Sequence, residues 1–163
     1  MPHLKPKLLL DLQGCQTCNS RHRGIGRYSL SLTQALLGLN AKSNHRFETI
    51  GLLNGAFPDA CIEVREHLSS GSNGIAYREM AADKSSGEQI APSSHVRGLA
   101  AAAAARALRP DIIHVSSLIE GYEEGAALSP YPRDIVSGAI RTATVYDLIP
   151  LVFSGKYLSL IHI

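Results

Sequence analysis

No stretch of this sequence approaches the run of about 20 apolar residues needed for a membrane-spanning helix. The first apolar run, Leu8-Leu9-Leu10, is cut short by Asp11. Lys5 and Lys7 precede it, but it is too short to be the core of a secretory signal. Charge of one sign is scarce too. Sixteen Lys and Arg stand against 14 Asp and Glu, a net charge of +2. With no basic block and no basic patch interleaved with aromatics, nucleic-acid binding has no support. Cysteines number only three. An odd count argues against a disulfide framework and fits a reducing compartment, so the expected location is the cytoplasm.

Missing motifs exclude further classes. There is no Gly-x-x-x-x-Gly-Lys-Ser/Thr, which rules out a P-loop, and no Gly-x-Ser-x-Gly nucleophile elbow. Gly24-Ile25-Gly26-Arg27-Tyr28-Ser29 lacks the third glycine of a dinucleotide fingerprint, and the loop before it is long. The ribose-binding acid expected about 20 residues further on is also absent, because the second strand ends Leu52-Leu53-Asn54 with Glu48 near its beginning. NAD binding is therefore disfavoured, and a Rossmann-type oxidoreductase stands only as a competitor. Cys15 and Cys18 do form a Cys-x-x-Cys, but a structural zinc site needs a second ligand pair, for which only His22 and Cys61 offer themselves. A thioredoxin-like site needs its first cysteine at the very start of a helix, and Asn19 to Gly24 intervene here. Neither a metal nor a redox centre is expected.

What is present is an α/β pattern. A chain of 163 residues makes one domain with a proper core. Leu8-Leu9-Leu10 reads as a buried strand, and a polar, flexible loop should follow from Gln13 to Arg23. A helix is expected over 25–39, with Ile25, Tyr28, Leu32, Ala35, Leu36 and Leu39 as its apolar face and Ser29, Ser31, Thr33 and Gln34 largely outside it. Gly38 and Asn40 supply its stop. Strands are expected at 47–53, 75–80, 112–115 and 142–146, the one at 112–115 apolar enough to be buried on both faces, with His114 a packed core histidine. Helices are expected at 60–68 and 95–108, the second built on six consecutive alanines from Ala100. This alternation predicts a parallel, Rossmann-like sheet with helices on both faces, binding its ligand at the C-terminal edge of the strands. Three polar segments should meet there: Gln13 to Arg27, Ser116 to Glu124, and Asp147.

The turn at Arg23-Gly24-Ile25-Gly26-Arg27 is the first candidate site. Glycines let a ligand approach the backbone, and a helix N-terminus offers unpaired N–H groups with partial positive charge. Two arginines add full charge, so a phosphorylated compound or a polar sugar is the expected ligand. The competing reading has Gly24 and Gly26 serving only tight strand–helix packing. Both readings stand at this point.

Asp11-Leu12-Gln13 after the first strand, RGIGRY opening the first helix, RPDIIHVSSLIEG and TATVYDLIPL resemble the N-terminal half of GT-B glycosyltransferases. The likeness is to the family 4 type of bacterial lipopolysaccharide and O-antigen assembly. It covers Lys7 to about Tyr157 and is weakest over 57–94. It implies an acceptor-side Rossmann-like domain over 1–157, facing a C-terminal domain that binds the donor. It further implies metal-independent transfer of a hexose, possibly mannose, from a GDP- or UDP-linked sugar to a lipid-linked or saccharide acceptor, with peripheral association of the whole enzyme at the inner face of the plasma membrane. Arg23, Gly24, Ile25, Gly26 and Arg27 would approach the donor phosphates, Ser116, Glu120 and Tyr122 would line the acceptor side, and Tyr146 and Asp147 would lie by the reacting sugar. Relatives carry histidine where this chain has Tyr146. Tyrosine donates a hydrogen bond but is a poor base, with an ordinary pKa of about 10. Asp147 reads equally as a turn cap before Leu148-Ile149-Pro150. The nucleotide-binding domain of the family, with its paired glutamates, has no counterpart in these residues, and the closing 158–163 looks unlike the family. The expectation is a non-native or truncated tail on a fragment inactive by itself. A non-catalytic α/β ligand-binding module is the alternative.

Overall fold

Leu8-Leu9-Leu10 forms the middle of the sheet. In the computed structural model, which describes residues 5–69, 75–80, 94–117, 131 and 134–146, strand β1 (Lys7–Asp11) hydrogen-bonds in parallel to β2 (Glu48–Asn54) on one side and β4 (Ile112–Val115) on the other. Strand β3 (Ile75–Met80) pairs with β2, and β5 (Ile140–Ala143) pairs with β4. The result is a five-stranded, all-parallel sheet of order β3-β2-β1-β4-β5. Between the strands lie α1 (Cys18–Arg21), α2 (Gly24–Lys42), α3 (Pro58–Ser69) and α4 (Ser94–Leu108). This is the Rossmann-like α/β fold that the alternation predicts.

Period-2 alternation along β1 divides the core in two. Leu9 faces one way, into a cluster with Ile50, Leu52, Ile113 and the alanines Ala101, Ala102 and Ala105 of α4. Leu8 and Leu10 face the other way, into a cluster with Leu53, Leu36, Cys61, Val64 and Leu68 from α2 and α3. Helices thus cover both faces. Each fully buried leucine contributes about 1.5–3 kcal/mol. The alanine run lets α4 lie close on the sheet.

Several expectations need correction. The segment after β1 is no flexible polar loop. It folds into a 3-10 turn (Gln13–Cys15) and the single turn α1, with Gln13, Gln16, Thr17 and Ser20 all buried. Gln13 and Gln16 find partners on Asn54 at the end of β2, which makes their burial tolerable.

Helix α2 begins one residue earlier than expected and runs past Gly38 and Asn40 to Lys42. Asn40 does not stop it but clamps the following strand, its amide donating to Phe47 O at 3.0 Å and accepting from Phe47 N–H at 3.0 Å. The buried face of α2 is Gly26, Ser29, Thr33, Leu37 and Asn40. The expected apolar stripe is rotated away, leaving Tyr28 47% and Leu39 61% exposed. Small and self-satisfied polar residues win the inner face because they allow close approach. Thr33 Oγ1, for example, donates to Ser29 O at 2.8 Å.

Strand β5 spans 140–143, not 142–146. Its last ladder bond runs from Thr144 N–H to Val115 O, where β4 ends. Strand β4 is buried on one face only, through Ile113 and Val115. His114 is half-buried beside Thr142 (2.9 Å) and Thr144 (3.4 Å) and is not a packed core residue. Partial burial holds its pKa below the usual imidazole value.

Candidate functional site

The C-terminal ends of β1, β2 and β4 carry Asp11, Asn54 and, one residue beyond the strand, Ser116, all buried. A polar network joins them. The Asp11 carboxylate accepts the Gln13 N–H (2.9 Å) on one oxygen and the Tyr131 hydroxyl (2.8 Å) on the other. Ser116 donates its hydroxyl to Asp11 O at 2.7 Å. Gln13 Oε1 accepts from the Asn54 side chain at 2.9 Å. Gln16 brackets the Asn54 backbone, accepting its N–H at 2.7 Å and donating to its carbonyl at 3.1 Å. These bonds fix the Gln13–Arg21 segment over the sheet edge, and α2 springs from its end.

Burial pushes the Asp11 carboxyl pKa above the ordinary carboxylate value, against the lowering effect of its two donors. The Tyr131 hydroxyl is pushed well up by its own burial and by the Asp11 charge. Cys15 lies beneath the same segment. Burial, then the charge of Asp11, drives its thiol up to about 12, so it supplies no thiolate near neutrality. Cys18 is exposed on α1 while Cys15 is buried. The Cys-x-x-Cys pair therefore does not form a joint site facing solvent.

The N-terminus of α2 has Arg23 at its cap position with no side-chain cap bond, and no acidic residue in its first turn. Nothing in its own sequence offsets the positive end of the helix dipole, and the side chains of Arg23 and Arg27 stand exposed beside it. Gly24 is exposed and Ile25 half-buried. The two glycines play different parts. A Cβ on Gly26 would lie 2.5 Å from both Ser20 O and Arg21 O, so only glycine fits where α2 abuts α1. A Cβ on Gly24 would meet nothing within 4 Å. The packing reading thus describes Gly26, while Gly24 leaves the backbone open.

Tyr146, distant in sequence, arrives at the same place. Its hydroxyl is 3.0 Å from Ser29 Oγ, and its ring meets Tyr28 edge-on with centroids 5.3 Å apart. Ser29 is fully buried one turn beyond the glycines, and Tyr146 keeps 36% of its surface. Gly14 closes the arrangement. A Cβ there would stand 3.1 Å from Ser117 Cβ and 3.9 Å from the hydroxyl oxygens of both Ser116 and Ser29. Arg23, Gly24, Ile25, Gly26, Arg27 and Tyr146 are therefore gathered on the C-terminal edge. Ser116 is gathered with them, but its burial and its bond to Asp11 make it part of the wall. Asp147, Glu120 and Tyr122 lie outside the described residues.

Sequence reasoning placed Gln13 and Gln16 in a polar segment at this edge but gave no individual role to them, nor to Asp11, Asn54 or Tyr131. A polar residue closing each apolar strand was the available signal for Asp11 and Asn54. Tyr131, between Pro130 and Pro132, had none.

A concavity of about 830 Å³ opens away from these residues, between the end of α4 and the turn before β5. Arg106, Arg109, Asp111 and Asp134 line it, and it shares no residue with the gathered set. Cations at the C-terminal end of α4 complement the helix dipole without any ligand. Among the described residues no cluster of three or more metal-ligating side chains occurs, and no helix is long and apolar enough to cross a membrane. The chain matches no family model, no curated protein and no solved structure.

Proposed function

We propose that the chain is the acceptor-side half of a GT-B glycosyltransferase. The whole enzyme moves a hexose from a GDP- or UDP-linked donor to a lipid-linked or saccharide acceptor in cell-surface polysaccharide synthesis, at the cytoplasmic face of the membrane. One observation carries the reading: Tyr146 packs on Tyr28 and Ser29, within a turn of an uncapped helix N-terminus flanked by Arg23 and Arg27. Residues more than a hundred positions apart thus bring the Tyr146 hydroxyl close to a helix N-terminus with two exposed arginines, a combination suited to a phosphorylated sugar. In this reading the open backbone at Gly24 and the two arginines receive the donor phosphates. Tyr146 holds a sugar hydroxyl, and Asp147 next to it serves the reacting centre.

The test is titration of the chain with GDP, UDP, GDP-mannose and NAD, followed by amide chemical shifts. GDP or UDP is expected to shift the amides of 24–27, and Arg23→Ala with Arg27→Ala to weaken binding about tenfold or more. No shifts at 24–27 with millimolar nucleotide, or tighter binding of NAD than of either diphosphate, would overturn the reading.

A further inference from the structure

Tyr131 is the largest fully buried side chain among the described residues, at 1% exposure, yet in sequence it stands between two prolines, Pro130 and Pro132. Its backbone is left-handed, with φ of 51°. A bulky residue adopts that conformation only where its surroundings hold it there. What holds it is visible. Arg141 on β5 donates Nε to Tyr131 O at 2.8 Å, and its two other nitrogens reach Ala139 O (3.5 Å) and Val136 O. The guanidinium thus spends its donors on carbonyls of the 131–139 segment. At the other end of the side chain, the phenol meets Asp11 Oδ2. The second oxygen of the same carboxylate takes the Gln13 N–H, the first bond of the segment leading to α2.

We propose that Tyr131 is a positioning residue. Clamped by Arg141, it fixes the Asp11 carboxylate and through it the Gln13–Arg21 segment on which the N-terminus of α2 is mounted. Asp11 has two donors and two oxygens, so removing the phenol frees the carboxylate to turn and loosens its hold on Gln13. Through Gln13 and Asn54 the effect reaches Gln16. The sheet itself does not depend on this chain of bonds, because β1, β2 and β4 hold one another by their own ladders. The significance for ligand binding rests on the proposed function, whereas the mechanical claim does not.

Tyr131→Phe removes one hydroxyl and keeps the buried ring. Native-state amide hydrogen exchange should accelerate about tenfold or more at Gln16, Ser20 and Arg21, whose amides are bonded within or across that segment. The amides of α3 and of β2 before Asn54, whose own N–H is bonded to Gln16, should exchange at the wild-type rate. GDP affinity should fall at least severalfold in the same variant. Acceleration spread equally over the whole domain would mean loss of general stability and overturn the proposal, as would no acceleration in the segment. Local acceleration with no GDP binding by the wild-type chain would support the positioning role and remove the glycosyltransferase reading instead. If Tyr131→Phe does not fold, Arg141→Lys is read in the same way. Lysine cannot reproduce the fork on three carbonyls, so the same localised pattern is expected.

Discussion

Cys15, Cys18 and Cys61 share one chain and have three different environments. Cys15 and Cys61 are both 3% exposed, the first with its thiol raised to about 12, the second within 3.4 Å of Asn54 O. Cys18 is exposed on α1. A disulfide reagent at mildly alkaline pH is expected to modify one thiol of the native protein at once. The other two should react about a hundredfold more slowly, through opening of the structure. In denaturant all three should react together. Peptide mapping with two fast sites would contradict the burial described. Spacing alone made Cys15 and Cys18 look like a pair. Nothing in the spacing could reveal that the chain folds one inward and the other outward, because Cys15 closes a 3-10 turn and Cys18 opens α1. Asp11 was half legible. A carboxylate closing an apolar strand is conspicuous, but its partner Tyr131 lies 120 positions away, and no periodicity links the two.

At the scale of elements, α2 carries most of the site, and its glycines make separable demands. Gly26→Ala forces a methyl group to 2.5 Å from two backbone oxygens. It is expected to cost about 3 kcal/mol or more, since backbone cannot step aside as a flexible side chain does. Gly24→Ala meets open space and should leave stability within about 1 kcal/mol of wild type, helix propensity favouring alanine. Urea denaturation of the two variants decides the matter. Equal losses would mean that the α1–α2 packing is not as described. The existence of α2 was plain from the sequence, but its orientation was not. Hydrophobic periodicity picks out Tyr28, Leu32 and Leu39, whereas the buried residues are Gly26, Ser29, Thr33, Leu37 and Asn40. Periodicity counts greasy atoms and is blind to a helix whose buried face is built largely from small and polar side chains. The misplaced end of β5 has a similar cause. Val145 and Tyr146 are good strand formers, but β4 offers no ladder beyond Val115.

For the whole molecule, the buried carboxylate makes stability depend on pH. Asp11 has its folded-state pKa raised above the ordinary 3.8. The folded state therefore holds its proton more tightly than the unfolded chain. The contribution is fully present below the unfolded value and is lost as pH rises from about 3.8 through the raised folded value. Asp11→Asn removes that loss. Its stability relative to wild type should grow as pH rises across this window, in denaturation midpoints measured from acid to neutral pH. A difference that stays constant with pH would show that the Gln13 and Tyr131 donors fully offset burial. Fold class, strand count and the order of the three longer helices were readable from alternation and turn residues, because a parallel sheet needs long apolar strands separated by helices. The polar belt under the sheet edge was not, because it joins residues from three strand ends that only the folded topology brings together.

The central place of β1 also sets a problem of timing. It leaves the ribosome before either of the strands it pairs with, yet it is bonded on both sides, and the Asp111 that meets Lys7 lies 104 residues later. At ordinary elongation speeds of about 5–20 residues per second, Leu8-Leu9-Leu10 waits roughly 5–20 s for its second neighbour, with one edge unpaired. Lys7 and Asp11 bracket those three leucines. Besides fixing register and holding the site, this pair of charges serves as a gatekeeper, discouraging the nascent strand from joining a neighbouring chain before its own partner has been made.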